Sequence, residues 1–441
     1  MSSSAISAET DQISVYWEPD DNVEDIEHYV PGGFHPIKLG DILQPLSSLS
    51  DQVRRRYRIL HKLGRGAFAT VWFAETLHRS SQRYVAVKVC MADADTGQED
   101  AIYCRLSRKE GQHVMELLDS FTLQGPNGVH RVLVHNVLGN LTEAIRSGLG
   151  VQQIRRICHQ LVQGVAFLHR HGVVHGDLHL GNIGVTLPTL DEYPQRDILD
   201  HFGNPECTIV LPTAESSHLQ GLPAYLVPPI SMGSFLSSNG GPFLEKPMTI
   251  EIMDLGNATF VDDTPQPSCT PAAVCAPEIL FERVARSTDA PATKASDIWS
   301  LACTLYEIMF GSRLFHFAAQ NDALLGKMAK LCGEVPAAWQ TYWASRERLR
   351  NLAVSPESAD AEWMYLLDQR SQIDSTLTSS DVAEFVSLLR SMLRIDPSTR
   401  PCVEVLLEHP WLSRASERRT WLLSHDEGSY ETTADPPEAD Q

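Results

Sequence analysis

One short polar segment, VHGDLHLGN at residues 174–182, restricts this chain more than any other part of its sequence. The segment follows a long helical pattern and is flanked by apolar residues, so we expect a tight loop there. Its Asp177 can accept a hydroxyl proton, and Asn182, five residues later, can bind a metal ion. This arrangement suits phosphoryl transfer, in which positioning and charge neutralisation supply the rate. We expect His175 to pack and hydrogen-bond within the loop rather than to act as a base.

Two glycines lie two residues apart in LGRGAFATV, residues 63–71. Glycines at this spacing let a strand-turn-strand come close to a polyphosphate, although ordinary hairpins also contain them. Ala69 stands where a third glycine would complete Gly-x-Gly-x-x-Gly, and it keeps the backbone footprint small.

Lys88 ends a short β-branched run, VAVK, seventeen residues after the glycine segment. A lysine beneath such a loop can hold the α- and β-phosphates of a nucleotide, and it needs an anionic partner to hold its own position. Glu99 is the best candidate, because apolar residues follow it at helical spacing and predict a short helix with one apolar face. The alternative is a solvated lysine at a strand end and a surface glutamate.

A second carboxylate, Asp254, lies in the segment IMDLGNA, where we expect a strand to end. Gly256 frees the turn that follows, so Asp254 suits a second metal-binding position. The pattern means little in isolation. Together with the glycine segment and the four polar residues above, it completes six elements in one order, which argues against coincidence.

The charge of the chain sets limits on its partners. The 441 residues include 36 basic and 56 acidic side chains, giving a formal net charge of −20. Eight acids lie in the first thirty residues and six in the last sixteen, with no Lys or Arg in either stretch. Both ends are therefore expected to be loose acidic tails. The acidic balance argues against a nucleic-acid-binding surface.

The apolar and cysteine patterns predict neither a membrane protein nor a disulfide scaffold. We expect no transmembrane helix and no secretory signal at the N-terminus. The nine cysteines are scattered, and none forms a Cys-x-x-Cys pair, so we expect reduced thiols.

Strand patterns precede helix patterns along the chain. Strands are predicted at residues 58–74, 84–91 and 129–137. Helices are predicted at residues 151–171, 297–310, 381–393 and 403–412. Residues 187–247 are rich in Pro, Gly and Ser, and they indicate an insert with partial structure.

With these motifs in this order, the chain resembles the eukaryotic protein kinase superfamily over residues 57–412. Ala276-Pro-Glu at 276–278 matches the motif that closes the activation segment, and SDIWSLA at 296–302 matches the central helix of the large lobe. Arg400 is expected to pair with Glu278. The resemblance implies an α+β, bilobal fold with a small β-rich N-lobe and a large helical C-lobe, and it implies ATP and Mg²⁺ in the cleft.

The resemblance also implies a domain organisation and site roles. It implies an acidic N-terminal extension at residues 1–56, a kinase domain at 57–412 (N-lobe about 57–137, C-lobe about 138–412, insert about 187–247) and an acidic tail at 413–441. It implies catalytic roles for Asp177, Lys88, Glu99 and His179. It implies nucleotide contacts from Leu63, Gly64, Gly66, Val71, Ala86, Lys88, Asn136 and Leu138, and metal binding by Asn182 and Asp254.

A finer resemblance is to the serine/arginine-rich-protein kinases, especially their divergent fungal-type members. EHYVPGGFHPIKLGD, residues 27–41, is similar to that family's lead-in, and residues 117–121, 125–130 and 254–258 are similar to further signatures. The resemblance implies a serine/threonine kinase for Arg/Ser-rich splicing factors that resides in the cytoplasm and nucleus. We expect a monomer with a protein substrate and with no direct nucleic-acid or membrane partner.

Some positions depart from the kinase pattern. Gly176 replaces the arginine that usually reads an activation-loop phosphate, so we expect an enzyme that is active as made. His179 replaces the usual lysine, and a neutral imidazole is a weaker countercharge near pH 7, which predicts low turnover. His135 occupies the gatekeeper position. Lys330 stands where the family has an acidic residue that helps dock arginine peptides, although Asp322 remains.

Two other functions fit parts of the sequence. The loop HGDLHLGN is similar to that of aminoglycoside and choline-type kinases, which predicts a small-molecule phosphotransferase, but those enzymes generally lack the Ala-Pro-Glu and Asp-Ile-Trp-Ser segments present here. An ATP-binding pseudokinase scaffold would be marked by the loss of Lys88, Asp177 or Asp254, and all three are present.

Overall fold

The computed structural model of the chain describes residues 15–16, 22–45, 55–77, 82–106, 113–146, 148–212, 219–238, 248–264, 266–316, 322–371 and 378–413. Most of the predicted acidic N-terminal stretch, and the tail after residue 413, lie outside these residues. The chain divides into two compact units, one of residues 1–148 and 170–264 and one of residues 149–169 and 265–441.

The described strands all lie in the first unit, and the second unit is helical. The strands are β1 (Val15–Tyr16), β2 (Ile42–Leu43), β3 (Tyr57–Arg65), β4 (Ala69–Thr76), β5 (Tyr84–Cys90), β6 (Leu117–Gly125), β7 (Gly128–His135), β8 (Leu138–Asn140), β9 (Val173–Val174), β10 (Ile183–Thr186), β11 (Thr208–Ile209), β12 (Leu211–Pro212), β13 (Tyr225–Leu226), β14 (Ile250–Ile252) and β15 (Thr259–Phe260). The α-helices are α1 (Gly97–Leu106), α2 (Leu141–Arg146), α3 (Val151–Arg170), α4 (Gln195–Phe202), α5 (Met232–Ser238), α6 (Pro277–Phe281), α7 (Lys294–Phe310), α8 (Asp322–Cys332), α9 (Gln340–Ser345), α10 (Glu347–Arg350), α11 (Pro356–Ser371), α12 (Ser379–Met392) and α13 (Val403–Leu407).

Six antiparallel strands form the main sheet in the order β2-β3-β4-β5-β7-β6. The predicted strand at residues 58–74 is two strands, β3 and β4, which the glycine segment joins. Successive side chains of a strand point to opposite faces, and the apolar residues here separate accordingly. Trp72 and Val87 enter the cluster on one face, whereas Phe73 and Ala86 enter the cluster on the other.

A buried ion pair holds the N-terminal arm (residues 22–45) against the sheet. Lys62 on β3 is fully buried, and its ammonium group binds the carboxylate of Glu24. Glu24 also accepts a 2.5 Å hydrogen bond from the hydroxyl of Tyr29. The Lys62 ammonium lies 4.9 Å from the centre of the Trp72 ring. Burial lowers the pKa of Lys62, and Glu24 opposes that shift.

Two segments that resemble family signatures meet at a pair of histidines. The rings of His35 and His130 have their centres 4.9 Å apart. Burial lowers the pKa of His35 to about 4, and His130 acts in the same direction. Beside them, the side-chain amide of Asn127 donates to the carbonyl oxygens of Phe34 and Gly221, at 2.7 and 2.8 Å. The arm, the β6–β7 hairpin and the insert are therefore joined at one point.

The described part of the predicted insert packs onto the sheet. Its flanking strands β10 and β14 pair with each other, so it leaves from a closed hairpin. Helices α4 and α5 of the insert place apolar side chains, among them Phe235, in the same cluster as Phe73 of the sheet. The N–H of Ile230 donates a 2.9 Å hydrogen bond to the carbonyl oxygen of Lys62. The insert is thus part of the apolar core rather than a passive loop.

The second unit is built on helices that the sequence pattern predicts. Helices α3, α7 and α12 occur where expected, and α7 begins with a capping box at Thr293. Helix α13 ends at Leu407 instead of residue 412, because the residue before Pro410 is disfavoured in helical conformation. In the described ranges, no helix has the length and apolarity that a bilayer crossing requires. None of the nine cysteines, all of which lie in the described ranges, forms a disulfide.

Arg400 and Glu278 form the expected pair within this unit. Their two hydrogen bonds measure 2.8 and 2.6 Å, and the Arg400 guanidinium also lies over the ring of Trp299. In the same unit, Asp297 accepts a 2.9 Å hydrogen bond from Nε2 of His169. A bidentate pair of this kind fixes shape more than it adds net stability.

Substitution of Glu24 tests the buried ion pair of the N-terminal arm. We expect Glu24→Gln to lower the free energy of unfolding by about 3–5 kcal/mol, because the Lys62 ammonium is left buried and unpaired. Urea denaturation measures the change. The double variant Glu24→Gln/Lys62→Met is the control and should recover most of the loss, since removal of both charges is close to neutral. A single variant as stable as the parent chain would contradict the pairing.

Candidate active site

The hairpin between β3 and β4 leaves open space beside its glycines. The N–H of Gly66 donates a 2.8 Å hydrogen bond to the carbonyl oxygen of Ala69 and closes the turn. A Cβ atom added to Gly64 would meet no atom within 4 Å. Leu63 and Val71 flank the glycines and pack in part against the apolar cluster shared with the insert. The backbone of this turn is therefore accessible to a phosphate group.

Lys88 lies between two carboxylates. It is on β5, opposite Val71 of β4 and Leu133 of β7. Its Nζ donates to Glu99 at 3.0 Å and to Asp254 at 2.9 Å. Burial alone would lower the pKa of Lys88, but the two carboxylates raise it above its ordinary value. The Lys88 side chain is therefore charged, and the two neighbouring carboxylates balance its charge.

Helix α1 supplies Glu99 from its buried face. Burial raises the pKa of Glu99, and the charge of Lys88 opposes that shift. The residues that follow at helical spacing are buried with Glu99, as predicted; they are Ile102, Tyr103 and Leu106. Glu99 is only 4% exposed, which rules out the alternative of a surface glutamate.

His135 ends β7 as a buried, neutral side chain. It is opposite Ala86 of β5, and its Nδ1–H donates a 2.9 Å hydrogen bond to the carbonyl oxygen of Glu116. Burial lowers the pKa of His135 to about 4. Its ring centre lies 5.3 Å from that of Tyr103 on α1. The position predicted as gatekeeper therefore contacts the helix that carries Glu99.

Two of the residues predicted to contact the nucleotide, Asn136 and Leu138, come shortly after His135. The side-chain oxygen of Asn136 accepts a 2.6 Å hydrogen bond from the amide of Gln82. Leu138 opens β8 opposite Thr186 of β10. Because the Asn136 side chain is occupied by Gln82, a ligand at this point would meet the backbone of the segment.

The polar loop of residues 174–182 begins where β9 ends. Gly176 has a φ of +72°, a conformation that glycine adopts without strain. His175 is fully buried; its Nδ1 accepts from the N–H of Asp177 at 3.2 Å, and its Nε2–H donates to the carbonyl oxygen of Met253 at 3.3 Å. His175 therefore holds the loop and packs within it, as predicted.

Asn182 fixes the loop from its other end. Its amide nitrogen lies 2.9 Å from the carbonyl oxygen of Asp177 and 3.4 Å from Oδ2 of the same residue. The N–H of Met253 donates a 2.9 Å hydrogen bond to the Asn182 carbonyl oxygen. Because the amide nitrogen is used in this way, the side-chain oxygen is the Asn182 group suited to a cation.

His179 is held as a single tautomer. Its Nδ1 accepts a 3.0 Å hydrogen bond from the N–H of Gly181, so the proton of the neutral ring is on Nε2. Nε2 lies 3.7 Å from Oδ1 of Asp177. His179 therefore directs its N–H toward the carboxylate of the loop, at the place where the kinase pattern has a lysine.

Asp254 lies at the end of β14 in a left-handed conformation, with φ +61°. Burial would raise the pKa of Asp254, but Lys88 lowers it below its ordinary value. Oδ1 is bound by Lys88, and the side chain is 48% exposed. In the part of the chain that the structure describes, no three or more His, Cys, Asp or Glu side chains are grouped to hold a metal. Asn182 and Asp254 carry two side-chain oxygens that would suit Mg²⁺, because that ion takes oxygen ligands and also binds phosphate oxygens.

Asn257 is a site residue to which the sequence analysis assigns no role. It ends the 3-10 turn Leu255–Asn257 after Asp254, and its side-chain N–H donates a 3.1 Å hydrogen bond to Oδ2 of Asp177. This contact joins the cluster of Lys88, Glu99 and Asp254 (the Lys88 cluster) to the polar loop. The residue is present in the segment IMDLGNA, but an amide three residues after an acid is not a distinctive pattern.

Comparison with known proteins identifies the fold. The family described as "Protein kinase domain" matches residues 57–188 and 243–412. The chain belongs to this family. The unmatched stretch, residues 189–242, falls inside the predicted insert. The predicted α+β kinase fold is thereby confirmed, with a β-sheet region followed by a helical body.

The curated relatives are serine/threonine kinases of the SR-protein type. The kinase is 26% identical over 431 residues to the "Serine/threonine-protein kinase SRPK" of Physarum polycephalum, covering 89% of this chain and 92% of that one. It is 25% identical over 405 residues to a serine/threonine protein kinase of Aspergillus fumigatus, covering 86% and 88%. It is 31% identical over 179 residues to human "SRSF protein kinase 3", covering 37% and 30%.

These relatives confirm the predicted resemblance and reaction class. The protein is an ATP-dependent serine/threonine kinase similar to the SR-protein kinases. They give no support to the scaffold or small-molecule alternatives. Protein kinases in general use ATP with Mg²⁺.

Substitution of Lys88 tests the centre of the cluster. We expect Lys88→Met to lower phosphate transfer by about 100-fold or more, because the charge that orients the phosphates is lost and two carboxylates are left unpaired. Radiolabelled phosphate transfer measures the rate, and ATP–Mg²⁺-dependent thermal stabilisation measures binding. Lys294→Met, an exposed lysine at the start of α7, is the control. Unchanged transfer by Lys88→Met would contradict the assignment.

Proposed function

We propose that this kinase transfers the γ-phosphate of ATP to protein hydroxyls through one connected cluster of side chains. The observation that carries the proposal is the double contact of Lys88 with Glu99 and Asp254. The turn after Asp254 reaches Asp177 through Asn257. Groups suited to phosphate orientation, metal binding and proton acceptance are therefore linked by hydrogen bonds within the first unit, as phosphoryl transfer requires.

The nucleotide contacts are assigned to the sheet and to the segment after β7. The open space beside Gly64 and the accessible turn at Gly66 support a phosphate position there. The apolar side chains and backbone groups suited to contact the nucleotide base are those of Leu63, Val71, Ala86, Asn136 and Leu138. Lys88 is suited to the α- and β-phosphates.

The metal ligands are assigned to Asn182 and Asp254. Bound Mg²⁺ would neutralise the charge that develops on the phosphates. The ion pair with Lys88 engages one oxygen of Asp254, and the exposure of this side chain supports the second oxygen as a ligand. Asn182 contributes its amide oxygen, because its amide nitrogen is directed at Asp177.

Asp177 is assigned as the base. Its side chain is 14% exposed; Oδ2 accepts from two amides, whereas Oδ1 is itself buried and has no hydrogen-bond partner among the described residues. Oδ1 is therefore the oxygen suited to receive the substrate proton. His179 directs its Nε2–H to the same oxygen and is assigned as the weaker countercharge that replaces lysine.

Contacts of Arg283 and a pair of buried hydroxyl groups hold part of the activation segment, in support of an enzyme that is active as made. Arg283 donates to the carbonyl oxygens of Ser268 and Thr270. The hydroxyl groups of these two residues are buried and hydrogen-bond each other at 2.7 Å. A glycine, Gly176, precedes the base where other kinases have a phosphate-reading arginine.

Phosphatase treatment tests this activation state. We expect the purified kinase to keep its phosphate-transfer rate within about twofold after treatment, because backbone contacts of Arg283 hold the segment. Arg283→Ala should lower the rate in treated and untreated protein alike. Arg313→Ala, an exposed arginine paired with Glu307, is the control. A loss of phosphate transfer that persists after the phosphatase is removed would overturn the proposal.

We further propose Arg/Ser-rich proteins as the substrate class. The similarity to SR-protein-type kinases and the similarity of residues 27–41 to the family lead-in support it. Helix α8 is the segment expected to dock arginine peptides, and its charged side chains are already paired within the second unit. Asp322 accepts a 2.5 Å hydrogen bond from the hydroxyl of Tyr342 and pairs with Arg346 at 3.6 Å. Lys330 pairs with Glu362 at 2.7 Å. Selection by the residues next to the phosphorylated serine is therefore proposed, rather than long-range docking.

A peptide comparison tests the substrate class. We expect an Arg-Ser repeat peptide to have a kcat/KM about tenfold or more above that of a generic basic protein substrate. A short repeat should perform as well as a long one, because Asp322 is engaged by the chain itself. A scrambled peptide of equal charge is the control. Equal use of the repeat and scrambled peptides would contradict the assignment.

Residence in the cytoplasm and nucleus, and action as a monomer on a protein partner, are proposed on the strength of the resemblance. The net charge of −20 supports the absence of direct nucleic-acid binding.

A further inference from the structure

The side chain of Asn257 connects the Asp254 turn to the proposed base. The N–H of its amide lies in a 3.1 Å hydrogen bond with Oδ2 of Asp177. The second amide on that oxygen, from Asn182, is longer at 3.4 Å. The stronger of the two hydrogen bonds to Oδ2 therefore comes from a residue eighty positions away.

Strand pairing fixes the place of Asn257. Thr259 of β15, two residues after Asn257, is opposite Val174 of β9, three residues before Asp177. On its other side, the side chain of Asp254 caps the 3-10 turn, and the N–H of Ala258 closes it with a 3.1 Å hydrogen bond to the Leu255 carbonyl oxygen. Asn257 is thus held by a short ladder and a capped turn.

The two oxygens of Asp177 have different surroundings. Oδ2 accepts from amide donors, whereas Oδ1 lies 3.7 Å from Nε2 of His179 and has no hydrogen-bond partner among the described residues. An amide is suited to this task because it donates a hydrogen bond without adding charge. An aspartate at position 257 would instead place a second negative charge about 3 Å from the base, which disfavours ionisation of both groups.

We propose that Asn257 is a positioning residue that anchors Oδ2 of Asp177, which leaves the buried, unpartnered Oδ1 as the oxygen that accepts the substrate proton. This inference rests on the proposed function and deepens it. In the transfer step, the hydroxyl oxygen forms a bond to the γ-phosphorus while the bond to the β-phosphate oxygen breaks. The bonding electron pair leaves with ADP, and the hydroxyl proton passes to Oδ1 of Asp177. Asn257 takes no proton; it fixes the orientation of the carboxylate.

Kinetics of position-257 variants test the proposal. We expect N257A to lower kcat by about 10- to 100-fold, because a carboxylate free to rotate is misplaced for the reaction. KM for the peptide, and the dissociation constant of ATP–Mg²⁺ measured by calorimetry, should stay within about twofold, since Asn257 acts only through Asp177. N257D should be slower than N257A. Asn351→Ala, an exposed asparagine in the second unit, is the matched control and should behave as the parent chain.

A double-variant cycle separates positioning from a general structural effect. Single-turnover rates of N257A, Asp177→Ala and the combined variant are compared, and N257A should add no further loss in the Asp177→Ala background. Equal losses in both backgrounds, or unchanged kcat in N257A, would overturn the inference. A parallel weakening of ATP–Mg²⁺ binding would also overturn it, because it would assign Asn257 to the nucleotide site. If N257A unfolds, N257S takes its place in the same cycle.

The same experiment distinguishes this inference from the proposed function. If the parent chain binds ATP–Mg²⁺ and loses activity in Asp177→Ala while N257A and N257S retain full kcat, only the role of Asn257 fails. If Asp177→Ala is as active as the parent chain, the assignment of the base fails, and the role of Asn257 fails with it.

Discussion

The ammonium group of Lys88 connects elements that are distant in sequence. Its partners are Glu99, eleven residues away, and Asp254, 166 residues away. A largely buried ammonium group is costly unless it is paired, and helix α1 and the turn after β14 both bring a carboxylate to this point. The same turn carries Asn257 to Asp177. The arrangement of the whole site therefore depends on a local balance of charge.

The main sheet is completed by segments outside the part that matches the kinase family. On one side, the N-terminal arm supplies Glu24 to the buried Lys62. On the other face, the insert supplies apolar residues such as Phe235 and a backbone donor from Ile230 to Lys62. Strand β3 therefore receives polar contacts from both additions. Because β3 leads into the glycine turn, both additions stabilise the base of that turn.

The sequence predicts contacts within the motifs better than contacts between remote segments. The Lys88–Glu99 and Glu278–Arg400 pairs are confirmed, because each member lies in a segment with a distinctive pattern. The Glu24–Lys62 pair is not predictable, since Glu24 lies in the acidic stretch that the sequence predicts to be a loose tail, and only the burial of Lys62 creates the need for a partner. The packing of the insert is not predictable, because a segment rich in Pro, Gly and Ser has little apolar periodicity. Its apolar residues are recognised as core residues only when the sheet face that they cover is known. The hydrogen bond from Asn257 depends on strand pairing between β9 and β15, which no local spacing reveals.

The folded insert changes what counts as one domain in this chain. Phe73 and Tyr84 are almost fully buried, and the cluster that buries them includes Ile198 and Phe235 of the insert. A shortened chain made only of the family-matching stretches would present these aromatic rings to water. Contiguous apolar surface of this kind promotes self-association. The catalytic domain therefore includes the insert residues that share this apolar cluster. We expect the smallest version of the enzyme that stays in solution to be longer than the stretches that match the family.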